Sequence, residues 1–366
     1  MSYTFELNNE RRDANFTSGK VNGRSAVVEI FSAMINGKDL APFGKKADVA
    51  ANYIKELNKS ASEGNMNAVS ELNELRRFAM EPVLLQEIKL LSIYGNYKNI
   101  GYNESCEIEI PEFANLSANE QAAGQDVGFP VIRKKRAPIG TTTISAGYAV
   151  DYRKAALGDM TDENELQDQV RVQMRNKASL YVMRKIYNAI KNAPGVKYMF
   201  EGDGITKTGA DEVIKNVRRF GKPTISGDYA LVSQFNDFVG FNGTTPAVTG
   251  ISQKVMDEIH DTGLIGLYNG SVISEIPNQY DLTTLTSDGS NFETLIPAGL
   301  GFVIPAGGRS PIHTITRGGL TSFSGNDVTT GQLMTRYDME IGALIEPGHE
   351  YMVGLLSDKK LGSFDK

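Results

Sequence analysis

The chain has 366 residues, of which 40% are hydrophobic and 22% are charged, and its formal net charge is −6 with a pI of about 5.4. No apolar run approaches the roughly 18 residues of a membrane span, and the N-terminus lacks the apolar core of a signal peptide. The single cysteine, Cys106, excludes an internal disulfide framework. We therefore expect a soluble protein that is made in the cytoplasm, enters no membrane and has no bulk electrostatic attraction to DNA.

Residues 1–104 predict an N-terminal arm that carries short helices. Apolar residues cluster near Ser25–Ile35, and helical periodicity follows over Lys45–Asn58 and Met66–Met80. Pro82 then predicts either a break or the first residue of a new helix, because proline lacks an N–H and clashes with the preceding turn. The apolar sides of these helices need a partner surface.

The segment SCEIEI at residues 105–110 alternates strictly between apolar and charged residues. One face carries Cys106, Ile108 and Ile110, the other carries two glutamates, and Pro111 is expected to end the segment. This pattern predicts a half-buried strand.

Two further strand-like runs, FPVIRKKRAPIG and TTTISAGYAVDY, meet at Pro138–Gly140. Together with the first strand they predict that residues 105–150 form a long two-stranded arm. Such a ribbon is marginal by itself, because neither strand has enough apolar residues to bury against its own molecule. We expect the apolar residues of the arm to be buried against a neighbouring subunit.

The run Arg133, Lys134, Lys135 and Arg136 in this arm is the densest charge cluster of an otherwise acidic chain. One interpretation is a solvated face. Another is a contact with acidic groups of an adjacent subunit, which suits a ribbon that docks elsewhere, and these four residues are our candidate inter-subunit site. Contact with DNA is the weaker third option, because four charges without interleaved aromatic residues specify no nucleic-acid surface.

The segment Thr161–Ala193 predicts one long helix. Asp162 is placed to cap the first turn together with Glu165, and Pro194-Gly195 ends the helix. At about 1.5 Å per residue the helix would be roughly 50 Å long and would act as a spine. An apolar stripe at steps of three to five predicts one buried face. The stripe consists of Leu166, Val170, Met174, Ala178, Tyr181, Ile186, Ile190 and Ala193.

The segment after the spine helix predicts a short strand at Val196–Phe200 and a helix at Ala210–Phe220. The apolar side of this helix is expected to pack beside the spine. From residue 222 the sequence pattern changes to alternating predicted strands and short helices. This pattern predicts an α/β domain over residues 222–307.

Within that domain, Asn269-Gly270 between two apolar runs predicts a tight hairpin. A short helix is expected over Ser252–His260, and residues 281–294 are expected to form a polar loop. Strands at Ile312–Thr316, Gln332–Ile345 and Glu350–Leu356 complete the chain.

The residue types that carry chemistry are scattered. His260, His313 and His349 lack the spacing of a zinc helix, and each is interpreted as a surface or capping residue. Cys106 has no basic neighbour in sequence that would activate its thiol, and the glycine-rich turn at residues 202–209 lacks the ending of a phosphate loop. We predict no catalytic residue, no cofactor site and no metal site.

The order of these elements resembles that of the HK97-fold major capsid proteins of tailed bacteriophages. The likeness rests on a strand ending in IPEF, a long loop ending in TTTISAGYAVDY, the spine helix, and the glycine-punctuated hairpin GLIGLYNGSVISEIP. It implies an α+β fold with four regions. These are an N-terminal arm (1–104), an extended loop or E-loop (105–150), a peripheral domain with the spine helix (151–221 and 308–345) and an axial domain (222–307 and 346–366).

The resemblance also implies a function. Major capsid proteins of this class assemble with themselves into hexamers and pentamers that close an icosahedral shell around double-stranded DNA, and they are not enzymes. It implies a virion protein assembled in the host cytoplasm, with a scaffolding protein, a portal and in some cases a decoration protein as partners. Two other functions fit the same residues: an encapsulin-like bacterial compartment shell, or an enzyme with a pocket in the α/β region.

Overall fold

The computed structural model describes residues 23–35, 38–89, 94–112, 133–151, 153–154, 161–238, 261–286, 289–306, 309–327, 329–362 and 364. It mixes helices and strands, as the α+β prediction requires. The helices are α1 (Gly23–Ile35), α2 (Lys45–Ser62), α3 (Met66–Lys89), α4 (Thr161–Lys191), α5 (Lys207–Val217), α6 (Tyr229–Val232) and α7 (Gln234–Phe238).

The strands up to the middle of the chain are β1 (Asn96–Ile100), β2 (Glu107–Glu112), β3 (Arg133–Pro138), β4 (Thr141–Asp151), β5 (Tyr198–Gly202) and β6 (Lys222–Gly227). The remaining strands are β7 (Leu267–Tyr268), β8 (Ser271–Glu275), β9 (Tyr280–Leu285), β10 (Phe292–Thr294), β11 (Leu300–Ala306), β12 (Ile312–Asp327), β13 (Gln332–Ile345) and β14 (Gly354–Asp358). The predicted helix over Ser252–His260 lies outside the described residues.

The N-terminal helices pack together around an apolar cluster formed by α1, α2 and α3. Helix α3 runs without interruption through Pro82, so the prediction that this residue either breaks a helix or begins a new one is wrong. A proline inside a helix costs about 3 kcal/mol. Here Met80 and Leu84, on either side of it, are both buried in the main core, and their packing holds the two halves of the helix in line.

The spine helix α4 lies on a four-stranded sheet with the order β1-β12-β13-β4. The predicted buried stripe is confirmed, because its residues are buried or pack against the main core. Strand β4 contributes Ile144, Tyr148 and Val150 to the same core, and β13 contributes its own inward-facing residues. One face of the sheet is therefore covered by the spine and by α3.

Strand β4 corrects the prediction of a two-stranded arm over residues 105–150. It pairs antiparallel with β13 across eleven positions, from Gln332↔Asp151 to Gly342↔Thr141. Its alternating apolar residues bury against the spine, which is a larger gain than pairing in an isolated ribbon would provide. The ribbon itself consists of β2 and β3, and β2 continues through Pro111 instead of ending there.

The second large sheet has six strands in the order β5-β14-β11-β6-β8-β7. Helix α5 packs on this sheet against β5, β14 and β11, so the prediction that it lies beside the spine is wrong. Its apolar side joins a cluster of buried residues from β6, α6 and β8. The sequence predicted that strand β5 and helix α5 belong with the spine. Strand pairing and helix packing place both with the six-stranded sheet instead.

Two hairpins complete the second half of the molecule. The predicted Asn269-Gly270 turn is confirmed, with φ of 48° and 75° at its two residues, as a tight turn between β7 and β8 requires. Residues 281–294 are not a loop throughout, because β9 and β10 form a separate two-stranded sheet.

Candidate assembly surfaces

The four basic residues of the candidate inter-subunit site all lie on β3 and all are exposed. The register of the ribbon places Glu109 directly opposite Arg136. Lys134 Nζ lies 2.9 Å from Glu109 Oε2, and Arg136 Nη2 lies 3.5 Å from Glu109 Oε1. The hydrogen bond from Lys134, with the charges of both cations, lowers the pKa of the Glu109 carboxyl. Half of the basic run is thus partly neutralised within the ribbon.

The other two residues of the basic run, Arg133 and Lys135, lie on the opposite face of the ribbon. Arg133 and Lys135 alternate with the neutralised pair along β3 and so share the face of Ile108 and Ile110. Among the described residues neither Arg133 nor Lys135 forms an ion pair. These two cations are therefore the part of the run best placed to meet an acidic group on another molecule.

The root of the ribbon is fixed to the four-stranded sheet. Ile139 N donates to the Cys106 carbonyl oxygen at 2.7 Å, and Cys106 and Ile108 pack against an apolar cluster beneath them. That cluster consists of Ile100, Ile139, Ile315 and Leu344. The predicted inward-facing role of Cys106 is confirmed, since its half-buried side chain packs with this cluster.

A buried ion pair joins the N-terminal helices to the spine. Arg76 on α3 is 1% exposed and Glu163 in the first turn of α4 is 3% exposed, and the guanidinium lies 2.5 Å from the carboxylate. Tyr148 on β4 donates its hydroxyl to the same carboxylate oxygen at 3.1 Å, and Arg76 Nη1 donates to Ser324 on β12 at 3.1 Å. Four separate elements therefore meet at one charged pair.

The protonation of this group follows from its burial. Burial alone would lower the pKa of Arg76, but the charge of Glu163 raises it above its ordinary value. Burial, followed by the charge of Glu163, raises the pKa of the Tyr148 phenol well above its usual range. Sequence reasoning missed this pair. Glu163 lies about one turn before the first residue of the apolar stripe and Gln167 lies beside that residue, and polar residues on such a stripe signal a buried partner.

A second buried carboxylate, Glu346, brings together two of the three histidines. Its oxygens lie 2.9 Å from His313 Nε2 and 3.5 Å from His349 Nδ1, and Arg309 also pairs with it. The interpretation of His313 and His349 as surface residues is wrong, although His349 does take the N-cap position of the short 3-10 helix Glu350–Met352. Both are largely buried, at 18% and 13% side-chain exposure. The cluster sits where the chain crosses from β11 to β12 and from β13 to β14, and so it ties the two sheets together.

The described residues contain no group of three or more histidine, cysteine, aspartate or glutamate side chains arranged to hold a metal ion. Across the same part of the chain, no helix has both the length and the hydropathy to cross a membrane.

The fold is organised around a long helix, a ribbon that extends from one sheet and a hairpin that extends beside the other. They are typical of coat proteins that build shells. A family model described as "SPbeta prophage-derived putative capsid protein YonB" matches residues 15–357, and the chain belongs to this family. The resemblance to phage capsid proteins inferred from the sequence is thereby confirmed.

The solved structures to which the chain is similar have low sequence identity to it. The capsid structure of the cyanophage P-SCSP1u has 11% identity and a TM-score of 0.46, covering 72% of this chain and 85% of the other. A virus-like particle from Pyrococcus furiosus has 10% identity and a TM-score of 0.44, covering 76% and 97%. A structure from Microbacterium phage Oxtober96 has 10% identity and a TM-score of 0.48, covering 71% and 88%. No curated protein sequence matches the chain significantly.

Proposed function

We propose that this protein is the major capsid subunit of a tailed phage, which assembles with itself into hexamers and pentamers and closes an icosahedral shell around double-stranded DNA. The observation that carries this proposal is the match to a capsid protein family over nearly the whole chain, from residue 15 to residue 357. The role is structural, and no residue is assigned to catalysis.

The exposed elements support assembly. Both faces of the ribbon carry charge, and the β9–β10 hairpin leaves large apolar side chains in solvent. A shell subunit needs such extended contacts, because many modest areas shared with several neighbours add up to a stable closed assembly. In this proposal the E-loop ribbon lies on a neighbouring subunit, and Arg133 and Lys135 bind acidic groups there.

The four-region division implied by the resemblance is part of the proposal, with one change. Residues 198–221 are placed with the axial domain, because β5 pairs with β14 and α5 packs on the six-stranded sheet. The other regions keep their boundaries: the N-terminal arm 1–104, the E-loop 105–150 with β4 as its link to the peripheral sheet, and the peripheral domain with the spine.

The partners proposed for the subunit are other copies of itself, a scaffolding protein, a portal and a decoration protein, with assembly in the host cytoplasm and final residence in the virion. The net charge of −6 supports a container that encloses DNA without binding it tightly, because like charges keep the polymer mobile.

Negative-stain microscopy and sedimentation of the purified chain, alone and with its scaffolding protein, test the proposal. Closed shells are expected, and DNA inside particles isolated from infected or induced cells identifies a virion. Protein cargo without a genome would overturn the viral role in favour of a compartment shell. A chain that stays monomeric under every condition would overturn assembly itself.

A further inference from the structure

The spine helix α4 becomes strongly basic after its first two turns. Residues 169–200, which run from the third turn of the helix into β5, contain seven lysine and arginine residues and no aspartate or glutamate. The whole chain has a formal net charge of −6, with 44 acidic residues against 38 lysine and arginine residues. The segment is therefore a local reversal of the charge of the molecule.

Three of these cations lie on the exposed side of the helix. Lys177 and Arg184 are seven residues apart and so lie almost in line, with Lys185 beside them. All three are exposed, and within the described part of the chain none of them forms an ion pair. Exposed amide side chains extend the same side of the helix. We call the six residues the basic face: Gln173, Lys177, Arg184, Lys185, Asn188 and Asn192.

A cation of the same helix that has acids within reach does pair with them. Arg171 Nη1 lies 3.1 Å from Glu87 Oε1 on α3, and its Nη2 pairs with Asp168 one turn earlier on α4. The charge of Arg171 is therefore neutralised within the subunit. The basic face lacks such acids, so its three positive charges are available to another molecule.

Neither helix stability nor solubility accounts for this arrangement. Cations are favoured at the C-terminal end of a helix, but that effect is confined to the last turn. Lys177 and Arg184 lie well before the final residue, Lys191. Solubility is served equally well by charges of both signs, yet residues 169–200 contain no acid. A surface that carries one sign of charge is complementary to a polyanion.

Two of the three cations are held against the helix by aromatic rings. The Arg184 guanidinium carbon lies 5.4 Å from the centroid of the Phe364 ring, and Lys185 Nζ lies 5.6 Å from the centroid of the Tyr181 ring. These contacts restrict the side chains while leaving N–H groups that can donate to a partner. A cation that is already oriented loses less freedom when it binds an anion.

The donors of the basic face suit the phosphate backbone of nucleic acid. Phosphate oxygens accept hydrogen bonds from lysine, arginine, asparagine and glutamine side chains, which are the residue types present here. At about 1.5 Å per helical residue, Lys177 and Arg184 are about 10 Å apart along the axis, which spans about three phosphates of one DNA strand. Backbone contacts of this kind carry no sequence information.

We propose that the basic face of α4 binds the phosphate backbone of double-stranded DNA weakly and without sequence preference. The inference rests on the proposed function, because an enclosed duplex is the polyanion that a shell subunit meets. Three cations give an affinity in the weak range of non-specific contacts. The acidic remainder of the chain repels the duplex, so DNA is held locally at this face and stays mobile.

Fluorescence anisotropy of a labelled DNA duplex of about three helical turns, titrated with the full unassembled chain at several salt concentrations, tests the contact. Log affinity is expected to fall with log salt with a slope of about −3, since each neutralised phosphate contributes about −0.9. The triple variant Lys177→Gln, Arg184→Gln and Lys185→Gln is expected to lose at least about tenfold in affinity at low salt. Its slope is expected to approach zero.

A triple variant on another helix is the matched control. Lys46→Gln, Lys55→Gln and Lys59→Gln lie at exposed positions of α2 and remove the same amount of charge. We expect this control to bind the duplex within about twofold of the unmodified chain. Glutamine has nearly the helix propensity of lysine and arginine, so both triple variants are expected to fold, as circular dichroism will show.

Lysine acetylation tests the location of the contact without any substitution. The full chain is acetylated with and without the duplex, and the modified lysines are quantified by mass spectrometry. Lys177 and Lys185 are expected to be protected by the duplex at least about threefold, whereas Lys55 and Lys59 react equally in both samples. Equal reaction of Lys177 and Lys185 in the two samples would overturn the proposal.

Three further results would overturn the DNA contact. The first is unchanged DNA affinity of the Lys177, Arg184 and Lys185 variant. The second is displacement of the duplex by polyglutamate at an equal or lower concentration of charge, which would identify an acidic polypeptide as the partner. The third is an affinity difference of more than about tenfold between AT-rich and GC-rich duplexes, because backbone contacts do not read sequence.

The two proposals fail separately. Sedimentation is expected to show that the Lys177, Arg184 and Lys185 variant forms the same shells as the unmodified chain, so loss of the DNA contact leaves the capsid role intact. An unmodified chain that never assembles would overturn the proposed function. Binding of the duplex to the unassembled chain would still support or overturn the basic face as a DNA contact.

Discussion

Arg76 on α3 and Glu163 at the start of the spine helix are joined by a salt bridge of 2.5 Å with both side chains almost fully buried. The carboxylate also lies in the first turn of a helix, where negative charge is favoured by the helix dipole. The pair therefore sets the position of the N-terminal helices relative to the spine.

Removal of one partner of the pair is expected to destabilise the subunit strongly. Glu163→Gln leaves the Arg76 guanidinium buried without a counter-charge, which typically costs about 3–5 kcal/mol. Denaturant unfolding of the unassembled subunit measures this change. Glu165→Gln, two residues further along the helix and exposed, is the matched control and is expected to stay within about 0.5 kcal/mol of the unmodified chain. Equal stability of the two variants would contradict the role of the pair.

The buried apolar stripe of the spine helix predicts the effect of a single charged substitution. Met174 is 0% exposed, so Met174→Asp places an unpaired charge in the main core and is expected to prevent folding. Circular dichroism and solubility of the expressed chain report the result. Gln173→Asp, at the adjacent exposed position, is expected to fold and assemble. If Met174→Asp protein still forms shells, the assignment of this stripe to the buried core is wrong.

The ribbon is expected to respond unequally to neutralisation of its two cation pairs. Arg133→Gln with Lys135→Gln removes the charges that have no ion-pair partner among the described residues, and should weaken assembly by several-fold and reduce its salt dependence. Lys134→Gln with Arg136→Gln removes charges already shared with Glu109 and should have a smaller effect. Sedimentation at several salt concentrations measures both. If all four substitutions together leave assembly unchanged, the ribbon does not dock through this run.

Alkaline pH is expected to unfold the subunit through its buried phenols. Burial raises the pKa of Tyr337 to about 12, and the pKa of Tyr148 is also raised. The unfolded chain releases these protons near pH 10, so it binds fewer protons than the folded state above that pH. Stability is therefore fully present below about pH 10 and falls as the pH rises towards the folded values.

Phenolate absorbance, followed together with circular dichroism, checks this expectation. Ionisation of the buried phenols should coincide with unfolding instead of preceding it. Tyr102→Phe, at an exposed position, should leave the alkaline transition unchanged. A folded protein in which all phenols ionise near pH 10 would contradict the burial of Tyr148 and Tyr337.

The local patterns of the sequence determined much of the secondary structure. The spine helix was predicted over Thr161–Ala193 and is observed over Thr161–Lys191, and its stripe was correct because helical periodicity depends only on nearby residues. The Asn269-Gly270 turn was correct for the same reason, since its positive φ angles favour these residue types. The order of such elements was enough to identify a capsid protein family.

The tertiary structure decided which elements are partners. Strand β4 could have paired with the ribbon, and α5 could have packed on the spine, but burial in the main core and on the six-stranded sheet placed them elsewhere. The pairs Arg76–Glu163 and His313–Glu346 join residues separated by 87 and 33 positions, and no local pattern specifies such contacts. Which distant residues pair depends on which faces of the strands and helices are buried against each other. That choice is made only in the folded chain.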